Sequence, residues 1–334
     1  MGLFPNGGGM EKKIMLFTRT PLRISLIGGG TDMPSFYEYQ TGAVVSFAIN
    51  QCIYVSVNKK FGGKYRVSYT RTENVDTIGQ IQHDLVRETL KMFDIKIGLE
   101  ITSVSDIPGS GTGLGSSSAF TVGLIKALAR ETDERTLAER AFIVESEKCG
   151  HPIGKQDAYA SAYGGMNMFR FSRDDVSVWP VELQLPWTSK FESHCLLLWT
   201  GVTRDANEIL ERQDRSFRSG GNIEIGKQMA NLAEDFHIEL LNECPMIRIG
   251  EFLNEAWKIK KFFANGISSA NIEKWLDICN MNGAYGGKLL GAGGGGFILC
   301  IAHPDTHKNI IKKTGLKKFD FKIEKRGSEV IYES

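Results

Sequence analysis

The segment Asp106-Ile-Pro-Gly-Ser-Gly-Thr-Gly-Leu-Gly-Ser-Ser-Ser-Ala119 limits what this chain can become more than any other. Gly109, Gly111, Gly113 and Gly115 fall within seven positions, between Pro108 and the serines Ser116, Ser117 and Ser118. A helix-forming run from Phe120 to Arg130 follows. Glycines let successive backbone N–H groups converge with no side chain in the way. The first turn of a helix adds unpaired donors and a partial positive charge. A glycine loop that feeds a helix in this manner is a seat for phosphate.

The surrounding pattern is α+β. Strands are predicted from Ile14 to Gly28 (broken by Pro21), as a pair within Ala43 to Asn58, and at Tyr65 to Tyr69 and Leu99 to Val104, with a helix at Asp84 to Phe93. A further helix runs from about Asp133 to Cys149. A short helix follows His151-Pro-Ile-Gly-Lys155-Gln-Asp157, and strands are predicted at Met166 to Phe171, Val176 to Val181 and His194 to Thr200. The second half reads as helices near Ile223 to Asn242, Arg248 to Phe263 and Ser269 to Asn282, then a glycine run and a strand, Phe297 to Ile301. A boundary near Pro186 gives two domains, 12–187 and 188–334. Met1 to Gly9 reads as a flexible leader outside the fold.

Bulk properties narrow the partners. A net charge of +1 provides no field for nucleic acid, and the basic stretch Lys308 to Lys318 reads as a solvated face. Six scattered cysteines show no metal spacing and suit a reducing compartment. No stretch approaches the roughly 20 apolar residues of a membrane span, and no signal peptide is visible.

Three motifs fail on inspection. Gly291, Gly293 and Gly296 satisfy GxGxxG, but a helix and loop are predicted before them and a strand after, the reverse of a dinucleotide site. The Walker pattern and the GxSxG elbow are absent. Glu145 shares a helical stripe with Ala138, Ala141, Phe142 and Cys149, so its carboxylate projects from an apolar face and needs a partner. Spacing alone leaves a buried ion pair and a metal ligand both open.

With these motifs in view, the chain resembles the GHMP kinase superfamily. Pro21-Leu-Arg23-Ile-Ser-Leu-Ile-Gly-Gly-Gly-Thr31-Asp32 is similar to the opening of its sugar kinases, Pro108 through Ala119 to its phosphate loop, and Lys288-Leu-Leu-Gly-Ala-Gly-Gly-Gly-Gly-Phe297 to its C-terminal glycine loop. The resemblance implies a two-domain α+β fold: an N-terminal domain like one of ribosomal protein S5, with a left-handed crossover, and a ferredoxin-like C-terminal domain. It implies ATP against Pro108, Gly109, Gly111, Gly113, Leu114, Gly115, Ser116, Ser117 and Ser118, with Mg2+ held by Ser117 and Glu145. Twelve positions separate Glu145 from Asp157, as in galactokinase-like members, which implies Asp157 as catalytic base. Arg23 would neutralise charge beside it. Lys155 departs from many members and is placed with Asp157 or a phosphate. Gly30, Thr31, Asp32, Gly293 and Gly294 would border the acceptor.

Finer pattern resembles the branch acting on D-glycero-D-manno-heptose 7-phosphate: Gly28-Gly-Gly-Thr-Asp32, Gly42 to Asn50, Gly154-Lys-Gln-Asp157 and the four-glycine loop. That branch phosphorylates the anomeric hydroxyl in the bacterial cytoplasm, on the way to activated heptose for surface polysaccharide. Arg19, Arg71, His83, Arg204 and Lys155 are candidates for the 7-phosphate. The partners implied are ATP and a sugar phosphate, with no nucleic acid or membrane; a homodimer is compatible. A kinase for a free sugar such as fucose or galactose, and a non-catalytic sugar sensor, stand as the alternatives.

Overall fold

The computed structural model describes residues 15–107, 111–130, 133–203 and 206–334. Pro108, Gly109, Arg204 and the leader lie outside them.

Two antiparallel-rich sheets organise the chain. The first contains β1 (Met15–Ile27), β2 (Gly42–Lys59), β3 (Tyr65–Ser68), β4 (Thr72–Val75), β5 (Leu99–Ser105), β6 (Met166–Phe171) and β7 (Val176–Pro180). β1 and β2 are its spine. Pro21 has no N–H to donate, and there the register slips: Pro21 faces Cys52 while Leu22 faces Ile49. The bulge bends both strands without ending either, so the pair expected within Ala43 to Asn58 is one long strand. Its first half pairs with β6 and its second with β5.

The second sheet contains β8 (Cys195–Trp199), β9 (Ala284–Leu289), β10 (Phe297–Ala302) and β11 (Lys317–Phe319). Its spatial order, β11-β8-β10-β9, is fourth-first-third-second. With helices between its first and second and its third and fourth strands, this is the ferredoxin-like arrangement. The glycine run therefore joins two strands as a hairpin, where a helix and loop had been expected before it. The run still lacks the helix that a dinucleotide site requires.

The two-domain boundary needs correction at both ends. Residues 187 and 188 fall inside one helix, Leu185–His194, because Pro186 sits at a helix N-terminus, where proline is well tolerated. The final strand, β12 (Glu329–Glu333), returns to pair with β1. The last residues thus belong to the first sheet.

Helix Ser116–Ala129 is buried along almost its whole length against β1 and β2. The run expected as one helix from Asp133 to Cys149 is α-helical over Glu134–Phe142 and π-helical over Ile143–Lys148. The wider turn is closed by Cys149 N–H to Val144 O at 3.0 Å. Such π turns often mark functional positions, and this one carries Glu145.

Candidate active site

A cleft of about 510 Å³ is lined by residues from both halves of the chain. Helix Ser116–Ala129 starts in it, behind Gly115 at the N-cap (φ 76°), with no side-chain cap on its first turn. Gly111, Gly113, Gly115, Ser116, Ser117 and Ser118 line the cleft. The uncapped N–H groups and the helix dipole suit an anion there. Leu114 does not join them: its side chain is in the core and its carbonyl accepts from Arg23 N–H at 3.1 Å.

The C-terminal glycine loop interlocks with this one. A Cβ on Gly291 would lie 2.5 Å from Gly113 Cα, and Gly291 has φ +75°. Only glycine meets both demands. Phe297 N–H also reaches Thr112 O at 3.3 Å. Gly293 lines the cleft, whereas Gly294 turns away to bond Ile267 O at 2.9 Å.

Asp157 lies in the first turn of helix Gln156–Tyr163. Arg23 Nε and a terminal guanidinium nitrogen both donate to its Oδ1, at 2.8 and 2.7 Å, and the other terminal nitrogen donates to Gly113 O at 2.7 Å. Arg23 thus ties the aspartate to the phosphate loop. It leaves Oδ2, which has no hydrogen-bond partner among the described residues, able to accept one from a group in the cleft.

Glu145 is 2 % exposed, and burial pushes its carboxyl up to about 7. Hydroxyls of Ser117 and Ser118 oppose that rise, Ser118 Oγ donating to Oε2 at 2.9 Å, while the charge of Asp157 adds to it. No lysine or arginine among the described residues pairs with it. A buried carboxylate beside two hydroxyls, without a cation of its own, is a hard-oxygen donor set that fits Mg2+.

Of the residues expected to border the acceptor in the first half, Gly30 and Asp32 line the cleft. Asp32 accepts from Gly30 N–H at 2.8 Å and Gln156 N–H at 3.1 Å; burial first, then Asp157, raise its pKa. Thr31 is not in the lining. Its hydroxyl is fully buried, bonded to Gly28 O at 2.8 Å and accepting from Ala43 N–H at 3.0 Å, so it closes the turn.

Lys155 also needs correction. It turns from Asp157 to Glu139, bonding both carboxylate oxygens at 2.9 and 3.0 Å, and its ammonium lies over Tyr37 and Phe142. Of the other candidates for the far phosphate, Arg19 pairs with Glu324, Arg71 packs on Tyr69, and His83 packs between Tyr69 and Phe120. None of these lines the cleft.

The cleft's buried ammoniums are ones the sequence reading missed. Lys260 Nζ donates to Gly29 O at 2.9 Å and Gln213 Oε1 at 3.1 Å; Lys288 Nζ donates to Leu26 O at 2.7 Å and Ser25 O at 3.1 Å. Burial brings Lys260 down to about 8 against the opposing charge of Asp32, and brings Lys288 to about 7 with Lys260 and Arg23 adding to the fall. Lys260 carried a signal: with Leu253, Ala256, Trp257 and Phe263 as helical neighbours it sits on an apolar face, as Glu145 does.

An anion-binding helix start, a carboxylate–arginine pair facing a cleft and a second carboxylate in a metal-ready setting define a phosphoryl-transfer enzyme. Comparison with known proteins names its class. The model for the GHMP kinases N terminal domain matches residues 83–165, and that for the GHMP kinases C terminal domain residues 238–317. The chain is 31% identical over 312 residues to the D-glycero-alpha-D-manno-heptose 7-phosphate kinase of Campylobacter jejuni, covering 88% of this chain and 91% of that protein. The crystal structure of a D-glycero-D-manno-heptose 1-phosphate kinase from Bacteroides thetaiotaomicron has a TM-score of 0.76 at 21% identity, covering 96% and 99% of the two chains. Lactococcus lactis galactokinase, complexed with galactose, has a TM-score of 0.74 at 16% identity, covering 96% of each. The chain belongs to the GHMP kinase family. It is a sugar kinase, and members of the family use ATP as phosphate donor. No helix among the described residues is long and apolar enough to cross a membrane.

Proposed function

We propose that this chain transfers the γ-phosphoryl group of ATP to the anomeric hydroxyl of D-glycero-D-manno-heptose 7-phosphate, giving heptose 1,7-bisphosphate in the cytoplasm. The observation that carries the reading is the convergence of Ser117, Glu145, Arg23 and Asp157 on one cleft. The relative in Campylobacter jejuni supports the choice of acceptor. So do the two buried ammoniums, which favour an anionic sugar over a neutral one.

The uncapped start of helix Ser116–Ala129 holds the nucleotide's phosphates. Asp157 Oδ2 accepts the proton of the acceptor hydroxyl as its oxygen bonds to phosphorus, and the bond from that phosphorus to the leaving ADP oxygen breaks. Arg23 fixes the aspartate's rotamer and offsets its charge. Glu145 and Ser117, with Ser118 alongside, would hold Mg2+, which when bound neutralises phosphate charge.

The test is ADP release with Mg-ATP over a panel of free sugars and sugar phosphates. Heptose 7-phosphate is expected as the one good acceptor. Asp157→Asn is expected to lower kcat by about 10²-fold or more with little change in KM for ATP, and Glu145→Gln to raise the Mg2+ needed for half-maximal rate. Turnover of a free hexose alone refutes the acceptor, and sugar binding without turnover refutes the kinase reading.

A further inference from the structure

Two buried polar atoms on the acceptor side of the cleft have no partner in the fold. Ser25 is 3% exposed and Gln156 9% exposed, and neither Ser25 Oγ nor Gln156 Oε1 makes a hydrogen bond. Among the described residues other buried side-chain atoms also lack partners, but these two are the ones that line the cleft. They lie close together around Gly29: a Cβ placed there would be 3.2 Å from Ser25 Oγ and 3.2 Å from Gln156 Nε2. The missing side chain at position 29 is what leaves room between them.

We infer that Ser25 and Gln156 form a subsite for one neutral hydroxyl of the acceptor, distinct from the hydroxyl that is phosphorylated. The inference rests on reading the cleft as the acceptor site of a sugar kinase. The amide's orientation is set by Asp32, whose Oδ1 accepts from Gln156 Nε2 at 3.4 Å; the flipped amide would set oxygen against carboxylate. Gln156 Oε1 therefore requires a donor, whereas the Ser25 hydroxyl can donate or accept. A ligand hydroxyl satisfies both at once, donating to Gln156 and accepting from Ser25. An unprotonated phosphate oxygen would leave Oε1 without a partner, which is costly for a buried group. A ligand ammonium would sit beside Lys288 on Ser25 O and Lys260 on Gly29 O.

The placement explains how such a hydroxyl would aim the reaction. Ser25 lies two residues beyond Arg23 on β1, so both project from one face of the strand into the cleft. That step is about 7 Å, the scale of a monosaccharide. Gln156 directly precedes Asp157 in the same helical turn. A hydroxyl held at this point is linked through rigid backbone to both groups that handle the reacting one, so Ser25 and Gln156 select the acceptor and set its register.

The experiment uses Ser25→Ala and Gln156→Met in the full chain, with heptose 7-phosphate and its monodeoxy analogues as acceptors. Ser25→Ala is expected to raise acceptor KM about tenfold, leaving KM for ATP unchanged. Its thermal midpoint should hold or rise, because Ser25 Oγ bonds nothing in the fold. One monodeoxy analogue should show the same loss with wild type and no further loss with Ser25→Ala. Wild-type acceptor KM in both variants, or losses from analogue and substitution that simply multiply, overturns the subsite while leaving the kinase reading intact. If wild type phosphorylates none of the sugars, that reading fails separately, and the subsite is judged by calorimetric binding of the same sugars: weaker binding by Ser25→Ala upholds it, and equal binding ends it.

Discussion

Lys288 is the residue whose removal tests the electrostatics of the cleft most directly. Its ammonium is buried, bonded to two main-chain carbonyls, and faced by two further cations, Lys260 and Arg23, with no carboxylate bonded to it. Its pKa falls from 10.5 to about 7. Below the folded pKa the group is charged in both folded and unfolded chains, and the fold bears the whole cost of burying it. Above 10.5 it is neutral in both, and the cost is gone. Between those limits the unfolded chain binds more protons, so stability rises with pH. Each tenfold loss of proton affinity on folding corresponds to about 1.4 kcal/mol, which puts the full cost on the order of 5 kcal/mol. This is an upper bound, because the cleft admits water. Raising the pH from about 6 to about 9 should relieve about 2–3 kcal/mol of it. For a chain of this length that is a rise of about 4 °C in Tm. Lys288→Met removes the titration, and the two hydrogen bonds it also loses add an offset that does not vary with pH in this way. Scanning calorimetry of both proteins across that range, without nucleotide or sugar, should give curves that differ in slope, the wild type gaining on the variant as pH rises. Parallel curves would mean that the ammonium keeps an ordinary pKa, and the reasoning fails.

Two other substitutions separate catalysis from structure. Lys155→Met should cost about 1–3 kcal/mol by leaving Glu139 without its cation, while kcat and both KM values stay near wild type; a large fall in kcat with stability intact would return Lys155 to the site. Gly291→Ala drives a methyl into Gly113 Cα and should raise KM for ATP at least about tenfold by parting the two loops. Gly201→Ala is its control, because Gly201 has the same φ of +75° and nothing within 4 Å. Equal effects from the two would show that backbone strain, and not contact between the loops, matters.

What the sequence could reveal depended on whether a residue's role is local. Ser117 and Gly115 were legible because a glycine loop and a helix start are consecutive in the chain. Glu145 was legible as a carboxylate on an apolar face, although the π turn that carries it was not, since one extra residue per turn barely alters an apolar stripe. Lys155 misled because adjacency in sequence says nothing of direction: one residue before the helix Gln156–Tyr163, its side chain leaves toward Glu139. Thr31 misled likewise, a motif residue whose hydroxyl serves its own turn. Helix Asn207–Arg218 and β9 went unread, the first for its heavily charged composition and the second for the paired glycines Gly286 and Gly287.

The parts least visible in the sequence are those that join distant segments, and they explain why the site needs both halves of the chain. The phosphate loop, Glu145, Asp157 and Arg23 all come from the first half, yet the two buried ammoniums come from helix Met246–Lys260 and β9. Each reaches across to carbonyls at the end of β1 or in the turn after it, at Ser25, Leu26 and Gly29. That stretch of backbone also positions Ser25 and Asp32. Cations delivered in this way do two things at once: they hold the turn after β1 in place and offset the carboxylates of the cleft. Neither effect is available to the first half alone, which among the described residues supplies the carboxylates Asp32, Glu145 and Asp157 against the single lysine or arginine Arg23 in this lining. An acceptor bearing its own phosphate, as proposed above, would meet net repulsion there without the second half, so the electrostatics of the site depend on how the two halves dock.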